Sequence, residues 1–531
     1  MNDFQQKLID VLAEHSQVWI VGGAVRDKLL GRDYQDIDLA SSMQLEKTEI
    51  ILRENGYKPK KLGRNFDTLS LFEKNSRVDV VRVDDLKQDA LRRDFTINAI
   101  YMNPYSDETF DPLAGKKDLI DRILKCCGSP EDRFREDPIR ILRMIKFAVE
   151  YDMEIEKETW DEAKDLVAFL VTVSKERVTS ELVEIFLLEQ AEEAIRLLEK
   201  IGYWDVFVPE LARLKGIVQN QYHSLDVWEH TMAVFRNTPQ DLFLRLAGLF
   251  HDIGKWEVAS RECYLGGKLE YSNNKYWIGN YKIIGTRGSK QLDYQLKPLV
   301  GKEVKILGAR LDEYPEIVQF KRILRAEQVS RGLTYVENGK RHFLNHEKAS
   351  SRILAEILQR YSFTMFFEGA GQKREQELLK LVENHMRATL TFMPEFRGEE
   401  SRRSFKDRAA ELVWDICWDG RNFELQNIHD FVVLWKADFM AGKVYSESKK
   451  TLFEQIFQEL ITIALWQQEN LPKIDWQIFR EYVVTQGITG QSLGRFKDLV
   501  RAKAMKERQQ ELNQLFLKKA YAEFNRGHKR S

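Results

Sequence analysis

The change in hydrophobic periodicity near Pro138 is the feature that most limits how this chain folds. After it, apolar residues recur at three- and four-residue spacing, which is typical of helices. Before it, the apolar segments are short and bounded by turn residues, which is typical of strands. These predicted strands are Val18 to Val21, Ile37 to Ala40, Leu69 to Phe72 and Val78 to Val83. We therefore predict an α+β chain with a mixed β-sheet and helices in front and an all-helical remainder.

The length of 531 residues is enough for three or four domains of about 150 residues each. A stretch rich in Gly and Tyr interrupts the helical pattern and predicts a small β-type insertion. The predicted domains are a head over 1–130, a helical neck over 131–220, a helical body over 221–445 with the insertion at 256–341, and a helical tail over 446–531.

Charge is balanced over the whole chain, with 82 Lys and Arg against 83 Asp and Glu. Binding to nucleic acid therefore requires that positive charge be concentrated locally. Residues 499–531 hold nine Lys and Arg against three Glu, which predicts an RNA-binding tail, although a solvated terminal helix has the same composition. Residues 261–290 hold six Lys and Arg against two Glu among several Tyr and Trp, which favours an RNA contact or an exposed hairpin.

Two classes of protein are excluded by simple counts. No apolar run approaches the eighteen or so residues that cross a bilayer, so no membrane association is expected. Four cysteines in 531 residues cannot form a disulfide framework. We expect a cytoplasmic protein.

A Gly22-Gly23 turn follows the first predicted strand, and a helix with Arg26 in its first turn is expected near Ala24. Glycines at such a junction let backbone N–H groups approach a phosphate, and the start of a helix adds partial positive charge. The same strand, turn and helix also occur for packing alone, so the element does not decide by itself.

Asp36-Ile37-Asp38 follows ten residues after Arg26. In a strand the two aspartates share a face while Ile37 points to the core. Two adjacent carboxylates repel each other unless a cation lies between them, and Mg²⁺ accepts carboxylate and phosphate oxygens together. Alone this pattern is common at solvated strand ends; after the Gly-Gly turn it indicates a metal-dependent reaction on a phosphate.

Five motifs in this order resemble the bacterial-type tRNA nucleotidyltransferase and poly(A) polymerase family over residues 17–215. They are Gly22 to Asp27, Asp36 to Asp38, Arg92 to Ala99, Asp111 to Leu119 and Glu136 to Arg140. The resemblance implies a nucleotidyltransferase-type head, a helical neck, and a helical body and tail that hold RNA. It also implies Mg²⁺-dependent, template-independent addition of nucleotides to an RNA 3′ end, commonly CCA on tRNA from CTP and ATP.

The resemblance also implies roles for single residues. Asp36 and Asp38 hold the metal ions, with Asp79 as a candidate third catalytic carboxylate. The implied nucleotide-binding residues are Gly22, Gly23, Arg26, Arg92, Arg93, Asp94 and Asn98. As an alternative, Arg92 to Asp94 form only a helix start, with Asp94 as its cap.

Asp137 and Arg140 are implied to select the base. Cytosine and adenine each present an amine donor beside a ring-nitrogen acceptor, which matches an acceptor-only Asp and a donor-only Arg. Uracil and guanine present the reverse pattern. The alternative is that Asp137 is an N-cap followed by Pro138 at the first helical position.

A second group of residues resembles an HD-type phosphohydrolase domain. His230, His251 and Asp252 match the opening of such a domain, and His346, His385 and Asp438 stand where later ligands are placed. A transition metal such as Ni²⁺ or Mn²⁺ fits this donor set. The alternative is a set of structural histidines, and the insertion between Asp252 and His346 could block the site.

Several functions remain open on the sequence. Poly(A) addition, or A-only or CC-only addition to tRNA, uses the same motifs in residues 17–215. A chain that is mainly an HD phosphohydrolase, and a noncatalytic RNA-binding protein, are alternatives of other classes. The sequence predicts no oligomeric state.

Overall fold

The computed structural model divides the chain into two compact units, Met1–Phe207 and Val208–Ser531. It describes all residues except 63–67, 75, 218–224, 261, 274, 280, 285–291, 293–295, 312–313, 324–333, 338–339, 344–345, 368–370, 400, 402, 419–421, 442–444, 470–475, 487–499, 501–516, 518–519 and 522–531.

A mixed seven-stranded sheet forms the centre of the first unit. Its strands are β1 (Val18–Val21), β2 (Ile37–Ser41), β3 (Lys60–Leu62), β4 (Thr68–Glu73), β5 (Ser76–Arg82), β6 (Tyr101–Met102) and β7 (Thr109–Phe110). Their order is β3-β4-β5-β2-β1-β6-β7, and only β2 and β5 run parallel. Apolar side chains on both faces of this sheet are buried, so the sheet is covered on each side.

Helices pack around the sheet and continue beyond it. They are α1 (Asp3–Ala13), α2 (Gly23–Leu29), α3 (Leu45–Glu54), α4 (Leu86–Arg92), α5 (Gly115–Asp121), α6 (Pro130–Glu136), α7 (Arg140–Glu150), α8 (Lys157–Leu166), α9 (Lys175–Phe186), α10 (Ala191–Lys200) and α11 (Tyr203–Phe207). Asn2 and Gln5 form a capping box that satisfies two backbone donors at the start of α1. Strands β8 (Ile123–Leu124) and β9 (Glu154–Ile155) form a short parallel pair.

A buried lysine joins two helices of the neck. Lys146 of α7 donates to Glu181 at 2.7 Å and to Glu184 at 2.6 Å, both on α9. The ammonium group is almost fully buried, and its two carboxylate partners compensate the cost of removing the charge from water.

The helical part of the second unit contains α12 (Pro209–Ala212), α13 (Val227–Asn237), α14 (Leu242–Phe250), α15 (Lys255–Ser260), α16 (His346–Arg360), α17 (Gly371–Asn384), α18 (Arg387–Arg397), α19 (Phe405–Cys417), α20 (Leu425–Ala441), α21 (Glu447–Glu469) and α22 (Trp476–Thr485). Every residue of α14 is buried, so this helix is central to the packing. No helix in the described part of the chain is long and apolar enough to span a bilayer.

A second sheet lies between α15 and α16 in the chain. Its strands are β10 (Glu262–Ser272), β11 (Lys275–Ile278), β12 (Tyr281–Ile284), β13 (Glu303–Leu311), β14 (Tyr314–Ile323), β15 (Thr334–Glu337) and β16 (Lys340–Phe343). It has its own apolar core, built around residues such as Leu269, Ile283 and Ile306.

The predicted α+β class, with a mixed-sheet head and helices behind it, is confirmed. The insertion was predicted over 256–341, and its strands run from Glu262 to Phe343. They begin later than predicted because Lys255–Ser260 form α15. Most of the basic segment 499–531 lies outside the described residues.

Candidate functional site

The two carboxylates at the centre of the first site are placed by strand register. The parallel pairing of β2 and β5 sets Asp38 directly beside Asp79, and paired residues share a face of the sheet. On its other side, Asp38 pairs with Val21 at the end of β1. Ile37 is buried whereas Asp36 and Asp38 are exposed, as the predicted alternation requires.

Arg77 organises two of the three predicted carboxylates. Its guanidinium donates to Asp79 at 2.9 and 2.6 Å, and its backbone N–H donates to Asp36 at 2.8 Å. Ser70 donates a further hydrogen bond to Asp79 at 2.6 Å. These contacts fix the orientation of Asp79 before any ligand is bound.

Asp38 is the carboxylate that remains available to a ligand. Although the side chain of Asp38 reaches solvent, its closely packed surroundings raise the pKa of its carboxyl; Arg93 opposes this shift, and the negative charge of Asp79 adds to it. None of the described residues donates a hydrogen bond to Asp38. Two adjacent carboxylates of which one still lacks donors fit a hard divalent cation such as Mg²⁺.

Gly22 forms the turn against which Asp38 lies. Its φ of +81° belongs to a region that other residues rarely adopt, and a Cβ there would lie 2.9 Å from Oδ2 of Asp38. The same Cβ would lie 3.6 Å from the guanidinium of Arg93. Gly23 begins α2 directly after this turn. The turn therefore has to be glycine for the carboxylate to keep its position.

The structure places Arg26 in a buried network rather than in open solvent. Its guanidinium donates to Asn98 at 2.7 Å and to Asp27 at 2.9 Å, and lies 4.2 Å from the ring centre of Tyr151. In these contacts Arg26 holds α2 against the end of α7. Its contact with a triphosphate stays a prediction.

Asp94 continues this network toward the neck. It accepts hydrogen bonds from Asn98 at 3.1 Å and from Arg143 of α7 at 2.9 and 2.6 Å. Although burial alone would raise it, the pKa of Asp94 is lowered because Arg143 and these hydrogen bonds stabilise the charged form. Arg93 pairs with Asp89 at 3.1 Å, whereas the side chain of Arg92 is 66% exposed.

The predicted base-selecting residues line an open pocket of about 390 Å³. The pocket is lined by Arg93, Asp94, Asp137, Ile139, Arg140, Arg143, Arg177, Ser180 and Glu181. The structure thus brings together the four predicted residues Arg93, Asp94, Asp137 and Arg140. Arg92 contributes its backbone carbonyl, which accepts from Arg140 at 2.8 Å.

Asp137 does not cap a helix in the predicted way. It ends α6, and α7 begins only at Arg140 with Ile139 as its N-cap, so the alternative of Asp137 as an N-cap is wrong. Its carboxylate instead accepts from Arg177 of α9 at 2.7 Å. Arg140 is fixed by Glu136 at 2.8 Å. Both side chains are therefore held in place by neighbours rather than by helix geometry.

Sequence reasoning missed three arginines of this site. Arg143 lies one turn after Arg140, so the three-residue spacing alone places both side chains on the same helix face. Arg77 lies two residues before Asp79 on one strand and was visible in the same way. Arg177 is forty residues from Asp137, and no local pattern connects them.

The second site lies in the second unit and contains all six predicted HD residues. One cluster comprises His230, His251 and Asp438, and the other comprises Asp252, His346 and His385; within each cluster the ligand atoms lie within 4.8 Å of one another. Oδ2 of Asp252 lies 3.2 Å from Nε2 of His251, and its Oδ1 lies 3.0 Å from Nε2 of His346. The two clusters therefore adjoin at Asp252.

Backbone carbonyls fix the orientation of three imidazoles. Nδ1 of His251, His346 and His385 lies 2.9, 2.7 and 2.7 Å from the carbonyl oxygens of Gly248, Phe343 and Val382. Such a bond holds the proton on Nδ1 and leaves Nε2 to coordinate. Nε2 of His251 is buried without a hydrogen bond among the described residues. This donor set fits a transition metal.

The inserted sheet does not separate the ligands on either side of it. Gly254 allows α16 to return to the site, because a Cβ there would contact the carbonyl oxygen of His346 and lie 2.5 Å from the amide of Ser350. The N–H of Gly254 donates to the hydroxyl of Ser350 at 2.8 Å. Lys255, which sequence reasoning missed, donates to Asp252 at 2.6 Å.

Comparison with known proteins places the first unit in a family. Residues 18–84 and 74–125 match the model of the poly A polymerase head domain, and residues 152–215 match that of a probable RNA and SrmB-binding site of polymerase A. A CCA-adding enzyme of Lactococcus lactis subsp. cremoris is 30% identical over 281 residues, which cover 48% of this chain and 67% of that protein. The chain belongs to the bacterial-type CCA-adding enzyme and poly(A) polymerase family.

Members of this family with different named activities resemble the chain about equally. An A-adding tRNA nucleotidyltransferase of Deinococcus radiodurans is 30% identical over 297 residues, covering 54% of this chain and 66% of that protein. Poly(A) polymerase I of Haemophilus influenzae is 29% identical over 238 residues, which cover 40% of this chain and 53% of that protein. The matches to CCA-adding enzymes span about two thirds of those proteins.

The likeness of fold extends over almost the whole chain. A solved CCA-adding enzyme in complex with ATP covers 98% of this chain and 95% of that chain, with a TM-score of 0.53 and 19% identity. A solved CCA-adding enzyme in complex with CTP covers 95% of this chain and 92% of that chain, with a TM-score of 0.52 and 18% identity. At this identity the comparison concerns the fold alone.

Substitution Gly22→Ala should lower nucleotide transfer by roughly ten-fold, because the new Cβ, 2.9 Å from Oδ2 of Asp38, would push that carboxylate aside by less than the misplacement of about 1 Å that can cost a hundred-fold. It should also destabilise the fold by about 1–3 kcal/mol through its φ. Steady-state kinetics and urea unfolding measure the two effects. Gly56→Ala is the control, since its φ is +84° with nothing within 4 Å of the new Cβ. Equal activity in both variants would contradict the assignment.

Substitution Asp94→Asn should destabilise the first unit by about 1–3 kcal/mol at pH 7, because it leaves Arg143 without its buried partner. A lowered folded-state pKa means that the stabilisation is present above the unfolded-state pKa and lost as pH falls through the folded one. The difference from wild type in urea unfolding should therefore shrink below about pH 4. Glu184→Gln, at a 55% exposed partner of Lys146, should cost less than about 1 kcal/mol. A pH-independent difference would contradict this electrostatic origin.

Proposed function

We propose that this protein adds CCA to the 3′ end of tRNA from CTP and ATP and releases pyrophosphate. The observation that carries the proposal is the pairing of Asp38 with Asp79 beside the Gly22 turn. The matches to CCA-adding enzymes support it, and poly(A) addition or A-only or CC-only addition are the alternatives within the family.

Each part of the site has a role in this reaction. Asp36, Asp38 and Asp79 would hold Mg²⁺, which when bound neutralises the triphosphate and lowers the pKa of an attacking hydroxyl. Gly22 and Gly23 let the backbone approach the triphosphate. The RNA 3′ hydroxyl gives its proton to water, and its oxygen forms a bond to the α-phosphorus. The bond from that phosphorus to the oxygen bridging to the β-phosphate breaks, and pyrophosphate leaves with that oxygen.

The arginine-rich pocket supports selection of cytosine and adenine. Asp137 retains one carboxylate oxygen for the exocyclic amine while Arg177 binds the other. Arg140, held by Glu136 and by the backbone of Arg92, would donate to the ring nitrogen. Uracil and guanine would instead place a ring N–H against the donors of Arg140 and a carbonyl against the carboxylate of Asp137. Such a mismatch of buried polar groups can discriminate between bases by up to about ten-thousand-fold.

The experiment that separates these activities is product sequencing. A tRNA transcript lacking its 3′ CCA is incubated with all four nucleotides and Mg²⁺, and the new 3′ ends are sequenced. CCA on most molecules is the expected result. Runs of A would instead indicate poly(A) addition, and products that stop at CC or carry a single A would indicate CC-only or A-only addition. No incorporation would contradict the proposal.

Substitution Asp38→Asn should lower nucleotide transfer by more than about a hundred-fold, because it removes the carboxylate that lacks other donors. Thermal unfolding should be unchanged or slightly raised, since a repulsive contact with Asp79 is removed. Asp84→Asn, at a side chain 67% exposed and paired with Arg82 of β5, is the matched control. Near-normal transfer by Asp38→Asn would refute the metal assignment.

We propose phosphohydrolase activity as a second candidate function of the second unit. The convergence of six His and Asp ligands, with Asp252 at the junction of the two clusters, favours it over a set of structural histidines. Ni²⁺ or Mn²⁺ bound there would activate water for attack on a phosphate ester. Lys255 beside Asp252 supplies a cation that offsets negative charge at the site.

Substitution His251→Ala should lower the bound Mn²⁺ or Ni²⁺ by at least about ten-fold in metal analysis of reconstituted protein, because it removes a buried Nε2 ligand. Hydrolysis of 2′,3′-cyclic AMP should fall in parallel while CCA addition persists. His429→Ala is the control, because its ring lies 57% exposed beside Asp430. Metal content equal to wild type in His251→Ala would contradict this site.

A further inference from the structure

Five strands of the insertion close into a barrel. β10 pairs with β11, β11 with β12, β12 with β14, β14 with β13, and β13 again with β10. All of these pairs are antiparallel except β12 with β14. Numbered along the insertion, the order is 1-2-3-5-4-1, which is that of the five-stranded Greek-key barrel known as the OB fold. β15, which forms a hairpin with β16, pairs with the first half of β10, whereas β11 pairs with its second half.

The interior of the barrel is filled by apolar side chains. Leu269, Ile278 and Ile283 point inward from three adjacent strands. Leu292 and Leu296, from the segment between β12 and β13, are buried in the same core. Among the described residues the interior is apolar, so a charged ligand is expected on the outer surface.

The outer surface of β10, β11 and β12 carries lysines around a tryptophan. Because inward and outward residues alternate, Trp277 lies on the outer side between Tyr276 and Ile278, which are buried; its ring is half-buried and its Nε1 is covered. Register sets Trp277 between Glu270 of β10 and Lys282 of β12. We call the outward set the lysine face; it comprises Lys268, Glu270, Lys275, Trp277 and Lys282.

Positive charge is concentrated in this insertion. Residues 262–343 contain 15 Lys and Arg against nine Asp and Glu, a net charge of +6, whereas the whole chain has a net charge of −1. The lysine face itself has three cations against one anion. A polyanion is the ligand that such a surface attracts, and neutral sugars, which other OB-fold barrels bind, gain nothing from the charge.

We propose that the lysine face binds a single-stranded segment of RNA, with phosphates along Lys275 and Lys282 and a base stacked on Trp277. In OB folds the face of the second and third strands, here β11 and β12, binds oligonucleotides through aromatic residues and a basic groove. The choice of RNA among polyanions rests on the proposed function, while the lysine face belongs to the second unit and shares no residue with the catalytic site.

Fluorescence anisotropy of the full chain tests this inference with a fluorescein-labelled 12-nucleotide single-stranded RNA, without nucleotides or Mg²⁺. Trp277→Ala should weaken binding roughly 5- to 100-fold, the effect of losing one stacked base. Lys275→Ala combined with Lys282→Ala should reduce the slope of log Kd against log salt by about 1.4, or about 0.7 for each lost phosphate contact. Ultraviolet cross-linking should place the RNA on peptides within residues 268–284.

Matched controls and a separate assay make the outcome unambiguous. Trp466→Ala, at a tryptophan 42% exposed on α21, and Lys450→Ala, on the same helix, should leave RNA binding unchanged. Wild type and each variant are checked by thermal unfolding and by nucleotide incorporation. Absence of incorporation by the wild type with intact RNA binding counts against the proposed function only. Wild-type affinity and salt slope in both lysine-face variants would overturn the inference and leave the face to a protein partner.

Discussion

The register between two parallel strands is the constraint on which the first site depends. Among the described strands of the head sheet, β2 and β5 alone run parallel, and their alignment sets Asp38 beside Asp79. A slip by one residue would turn one carboxylate toward the core, where burial without a partner is costly. Arg77 and Gly22 both depend on this alignment, since one orients Asp79 and the other leaves room for Asp38.

A chain of buried polar contacts continues from this sheet into the neck. It runs from Arg26 through Asn98 and Asp94 to Arg143, and Arg143 lies 3.7 Å from Glu181. Buried ion pairs add little net stability, but removing one partner is costly, so such a chain favours one arrangement over its alternatives. We infer that it holds the pocket around Asp137 and Arg140 in a fixed relation to the catalytic carboxylates.

Local patterns predicted many of the elements, and the family resemblance implied most of the site residues, but neither gave their long-range partners. The apolar run of β1 matched its bounds, and the motif around Asp252 led to ligands spread from His230 to Asp438 that the fold does bring together. Arg177 was missed because only the packing of α9 places it beside Asp137. The closed barrel was missed because it depends on β10 pairing with both β11 and β13, which no periodicity encodes.

The central claim is that Asp36 and Asp38 hold divalent cations in front of the Gly22 turn. A crystal structure of the protein with Mg²⁺ and a non-hydrolysable CTP analogue tests it most directly. The account predicts cation density in contact with both carboxylates, and the triphosphate against the backbone of Gly22 and Gly23. Carboxylates without cations, with the nucleotide bound elsewhere, would contradict it.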